Sequence, residues 1–190
     1  MRALAGLLAL AALGAGCSGG TGGGQVARSY DFGIEAPAAR LPAVRVGAVR
    51  AAAPFDSNEM FYRLAYRDPA ELLAFVQSRW AAAPADLYRK QLLRAADGVV
   101  GRCALEVELH EVSQVFSSKE SSEALIELRA RLADGDGTLA EKRLRVAQSD
   151  AGGTAAAGAA AMAKAAERSI GELAGWIAAQ PRCAGAQVKP

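Results

Sequence analysis

One histidine, His110, serves a chain of 190 residues. That scarcity leaves little material for the imidazole acid–base chemistry on which many enzymes rely. From residue 29 onward there is neither a phosphate-binding P-loop nor a dinucleotide fingerprint, so ATP use by this chain is not expected. Lys and Arg total 22 against 20 Asp and Glu, a net charge of +2, and no block of basic residues stands out. A nucleic-acid binder driven by counterion release is thereby disfavoured. No apolar run reaches the roughly 20 residues that a spanning helix needs. Of the three cysteines, none has zinc-site spacing, and no metal or cofactor is expected.

What is present begins at the N-terminus. Arg2 supplies a positive start, Ala3 to Ala15 an apolar run of about 13 residues, and small residues then lead to Cys17. Charged, apolar and small-residue regions in that order describe a secretory signal peptide. Gly14-Ala15-Gly16-Cys17 resembles the lipobox of bacterial lipoproteins, in which the cysteine becomes the first residue and carries the lipid. The usual leucine three places before that cysteine is displaced here to Leu13, four places before it. An ordinary signal peptide with an incidental cysteine is the plainer alternative. One acyl chain holds a protein marginally and two or more hold it stably. Ser18, rather than Asp, follows the cysteine, which by the same resemblance implies sorting to the outer membrane.

The organisation expected is therefore a signal peptide over 1–16, a lipidated Cys17 with a Gly-rich linker over 17–28, a folded domain over 29–180 and a loose tail over 181–190. Removing sixteen residues from 190 leaves 174, about one domain's worth. With Cys17 acylated, Cys103 and Cys183 remain. In an oxidising compartment they would either pair or stay as two separate buried thiols.

Alternation of apolar and polar residues predicts strands over 29–34, 44–49 and 60–66. The next stretch is ambiguous. Asp68, Pro69 and Glu71 look like a helix start, with Leu72, Leu73, Phe75 and Val76 on one helical face. Residues 73–80 would serve equally as a strand returning beside 60–66. Pro84 to Ala96 predicts a helix burying Leu87, Tyr88, Leu92 and Ala95, stopped by Asp97-Gly98. Three long strands follow. Over 103–116, Leu105, Val107 and Leu109 face one way and Glu106, Glu108 and His110 the other, with a bulge expected near Glu111. Residues 123–132 and 139–147 flank a hairpin at Asp134-Gly135-Asp136-Gly137. The three together predict an antiparallel meander with one wet face. From Gly152 to Gln180 an alanine-rich helix carries Met162, Ala166, Ile170, Leu173 and Ile177 as a single stripe, ended by Pro181.

Catalytic patterns are sparse. His110 lies among Glu106, Glu108 and Glu111 and reads as a solvated surface imidazole. Gly16-Cys17-Ser18-Gly19-Gly20 matches a nucleophile elbow but lacks its strand and helix and straddles the cleavage site. A hydrolase is thus a poor third reading, and the chain is not expected to be an enzyme. Trp80, at the junction of 73–80 with the following helix, is either buried where helix meets sheet or exposed as a partner contact.

Several stretches, in order, resemble the ABC-type transport auxiliary lipoproteins, the PqiC-like family. They are the Tyr30 strand soon after the lipobox, Val44-Arg45-Val46-Gly47, Phe61-Tyr62-Arg63, and Arg79-Trp80-Ala81-Ala82-Ala83-Pro84 leading into a helix. Leu105 to Val112 and the alanine-rich helix ending near Trp176 complete the set. The resemblance spans about Tyr30 to Ala179 and favours the strand reading of 73–80. It implies a single α/β domain with a mixed, mostly antiparallel sheet, a central helix and a long C-terminal helix packed on it. It also implies a non-enzymatic lipoprotein at the periplasmic face of the outer membrane. Such a lipoprotein serves an ABC permease and ATPase and a mammalian-cell-entry (MCE) protein in moving phospholipid or another hydrophobic molecule. It would dock that assembly; alternatively it would itself hold a lipid in a groove between the sheet and the C-terminal helix. Self-association is left open.

Overall fold

The computed structural model describes residues 26–96, 101–135, 137–149 and 152–184. The expected signal peptide, Cys17, most of the linker and Asp97-Gly98 lie outside these residues. Seven strands form one mixed sheet: β1 (Arg28–Tyr30), β2 (Arg45–Ala51), β3 (Glu59–Leu64), β4 (Leu73–Trp80), β5 (Ala104–Phe116), β6 (Ser122–Asp134) and β7 (Gly137–Ser149). Helix α1 (Pro84–Ala95) follows β4, and α2 (Ala155–Ala178) and the short α3 (Pro181–Ala184) close the chain. The strand order is β1-β4-β3-β5-β6-β7, with β2 also on β5.

Strand β5 organises the sheet. One edge pairs along its whole length with β6, antiparallel, and β6 continues into β7 the same way. The other edge is shared: β2 runs parallel to residues 104–109, and β3 runs parallel to 113–116. The pairing with β6 skips His110, and the changeover from β2 to β3 falls at that same bulge. One extra residue there resets the alternation, so that Leu105, Val107 and Leu109 and then Val112 and Phe116 are all buried. Between β2 and β3 the chain leaves the sheet through the cis Ala53-Pro54 bond and drops Phe55 into the core, edge-on to Phe61.

One sheet face is covered by the helices. Stripe residues Met162, Ala166, Ile170, Leu173 and Ile177 of α2 are fully buried, as are Tyr88 and Leu92 of α1. The two helices meet through a hydrogen bond of 2.6 Å between Tyr88 Oη and Ser169 Oγ. Burial pushes the Tyr88 phenol well above its ordinary range, so it stays protonated. Thr154 caps α2 by accepting from the Ala157 N–H. Gly158 lets α2 approach β5, since a Cβ there would overlap the amide of Gln114.

Differences from the expectations have local causes. Strand β1 stops at Tyr30 rather than Ile34, because Asp31 Oδ1 accepts the Gly33 N–H at 2.8 Å and Gly33 takes a φ of 86°. Over 73–80 the chain is a strand. The capping signals at 68–71 are used for a turn, in which Asp68 Oδ1 accepts the Ala70 N–H at 2.9 Å. The tail is not loose at its start: residues 181–184 form α3 and bury Cys183. Beneath α2 its stripe packs directly on the sheet, and the hollow beside the helix, about 330 Å³, lies along its flank between Ala160, Ala163 and Lys164 and the segment Phe32 to Pro37.

Candidate docking face

The uncovered face of β5–β6–β7 carries the charged residues. Cross-strand register arranges them in rows: Glu106, Arg131 and Glu141; Arg50, Glu108, Arg129 and Arg143; and Glu111, Glu127 and Arg145. Within the first row, Arg131 lies 3.8 Å from Glu106 and 3.1 Å from Glu141. In the second, Arg129 reaches Glu108 at 3.6 Å, and His110 Nε2 sits 3.5 Å from the same carboxylate. In the third, Arg145 donates to Glu127 at 2.9 Å. These pairs are solvent-exposed, and each contributes at most about 1 kcal/mol.

Arg143 departs from that balance. It stands directly opposite Arg129, and among the described residues it makes no ion pair. Like charges opposed across a ladder repel. A hollow of about 450 Å³ opens beside them, bounded by His110, Glu127, Arg129, Arg143 and Arg145. Strand β7 also ends the sheet, so among the described residues no other strand takes up its outer backbone edge. The arrangement suits an acidic protein surface or an extended acidic segment.

The strongest polar contact lies at the margin of this face. Arg63 on β3 donates to both oxygens of Glu111 on β5, from Nε at 2.9 Å and Nη2 at 3.0 Å. That two-pronged bond, together with the nearby Glu111 charge, pushes the guanidinium above its ordinary value against the effect of partial burial. Arg63 Nη1 also reaches the carbonyls of Pro69 and Ala70, and Ser113 donates to Glu111. Two strands and a turn are thus pinned at one point. Sequence reading singled out Arg63 only within a motif; the partner two strands away in sequence carries no local signal.

The sequence-derived candidates are dispersed. Trp80 is 2 % exposed and packs edge-on against Phe32 at 5.3 Å. It is a core residue, so of the two readings burial at the junction holds and an exposed partner contact does not. Cys103 and Cys183 are joined in a disulfide with Cα atoms 5.5 Å apart, tying α3 to the start of β5. His110 is partly exposed, with the Glu108 carboxylate beside it. No group of three or more metal-ligating side chains occurs among the described residues.

Fold and charged face together define a single open α/β domain with helices on one side of a seven-stranded mixed sheet. No family model matches the chain, and no curated protein is similar to it. Solved structures are similar in fold. Protein XCC0632 of Xanthomonas campestris, assigned to the family-model DUF330, is 24% identical, with a TM-score of 0.61 over 76% of this chain and 94% of that one. An uncharacterised protein is 13% identical, with a TM-score of 0.62 over 80% of this chain and 99% of its own. These likenesses show the fold.

Proposed function

We propose that the chain is a non-enzymatic lipoprotein that docks a lipid-transport assembly at a membrane. The observation that carries this is the apolar run ending at Gly14-Ala15-Gly16-Cys17, joined through a Gly-rich stretch to a disulfide-bonded domain. Acylated on Cys17, the domain is held at the periplasmic face of the outer membrane. There its charged face and open β7 edge meet an acidic surface of the MCE protein, whose permease and ATPase supply the work. Three features support the reading. Disulfides persist in oxidising compartments such as the periplasm. The order of motifs resembles the PqiC-like auxiliary lipoproteins. A fold shared with the DUF330 protein accommodates that resemblance.

Tethering converts a weak contact into an effective one, because confinement near the membrane raises the local concentration of both partners. Cys17→Ala is therefore expected to leave the domain folded and abolish transport in the cell. Undiminished lipid transport by that variant contradicts the proposal.

A further inference from the structure

The two most exposed large aliphatic side chains of the described residues, Val76 at 95% and Val26 at 88%, lie at the same corner of the molecule. Arg28 pairs with Ser78 across the parallel β1–β4 ladder, and Val26 and Val76 each precede that pair by two residues. Val26, Arg28, Gln77 and Ser78 border one hollow. Strand β4 bulges at this point: Glu59 faces Arg79 and Phe61 faces Ala74, so two steps along β3 correspond to five along β4. Residues 75–78 are thereby pushed out of the β3 ladder, with Val76 at the crest. A lone exposed valine is ordinary. Two together, at a sheet edge where the exposed Arg28 and Arg79 stand on opposite faces of the β1–β4 ladder, form an edge-on surface feature; the one acidic residue in register is Glu59, opposite Arg79.

We propose that this corner rests on the bilayer surface, with Val26 and Val76 at the boundary of headgroups and acyl chains and Arg28 and Arg79 against anionic headgroups. The inference rests on acylation of Cys17 and deepens the proposed function by fixing how the domain faces its membrane. Chain length argues for this corner over any other. Nine peptide steps lead from Cys17 to Val26, so the chain enters the domain no more than about 30 Å from the acylated cysteine. Apolar contact and attraction to anionic lipid act together at such a surface. Strand β7 and its charged neighbours stand at the opposite edge of the sheet from β1, so this orientation turns them toward the periplasm and an incoming partner.

The test uses the acylated mature protein in vesicles of phosphatidylethanolamine and phosphatidylglycerol. A polarity-sensitive nitrobenzoxadiazole dye is placed by Val76→Cys, or by Thr138→Cys on exposed β7 as the control. Mass measurement of the N-terminal peptide and flotation with the vesicles precede the optical readout. The expected result is a blue-shifted, iodide-protected dye at position 76 and a water-like dye at 138. Replacing Arg28 or Arg79 by Gln lowers the ratio of protected to unprotected dye about fivefold per charge removed. A floating, acylated protein with a water-like dye at 76, or with equal protection at both positions, overturns the orientation and leaves the lipoprotein reading standing. An unacylated N-terminus overturns both.

Discussion

Arg63 shows how much one side chain can decide in a sheet assembled from distant segments. Its two-pronged bond to Glu111 and its reach to the Pro69 and Ala70 carbonyls tie β3, β5 and the β3–β4 turn together. Both partners are largely shielded from water, so removing one leaves a charge without its counterpart. Arg63→Leu is expected to lower stability by about 2–3 kcal/mol in urea denaturation. Arg63→Lys recovers only part of that loss, because an ammonium cannot reproduce the planar fork. Full stability of Arg63→Lys would show that charge alone matters here. At the same scale, Trp80 illustrates what a sequence withholds. An aromatic residue between a strand and a helix is compatible with either core or surface, and only the packing of Phe32 against it decides.

At the scale of elements, strands and helices were legible wherever periodicity was sustained. The alternation in β5, the hairpin between β6 and β7 and the stripe of α2 are each visible in residue order and present in the fold. Where two local signals competed, tertiary pairing chose. Asp68 and Pro69 offer a helix start, yet Leu73–Trp80 satisfies its backbone against β3 and β1 as a strand. The sharing of one β5 edge by β2 and β3 had no local sign, since it depends on pairings across tens of residues. The start of the C-terminal segment carries little local signal for a similar reason: α3 is short and is held by the Cys103–Cys183 bond, which closes a separation of 80 residues. Cys183→Ser is expected to cost about 2–5 kcal/mol. Wild-type protein should lose the same amount on addition of reductant. An unchanged urea midpoint in either experiment contradicts a structural role for the bond.

At the scale of the whole molecule, the fold separates three tasks by place. One sheet face and both long helices form the buried apolar interior of the described residues. The other face offers paired charges, an unmatched Arg143 and the free edge of β7. The β1–β4 corner presents two valines where the chain arrives from Cys17. The proposed anchor at Cys17 is legible in the sequence because it is a linear motif. The charged face is legible in the sequence only as a strand with alternating charge. Its extent, its rows and the local surplus of arginine beside Arg143 emerge from the register of four strands. The account as a whole stands on the covalent state of Cys17. The most direct measurement is the mass of the N-terminal peptide of the mature protein isolated from cell membranes. The account predicts a chain beginning at Cys17 and carrying acyl groups; a peptide that begins elsewhere, or begins at Cys17 with an unmodified thiol, contradicts it.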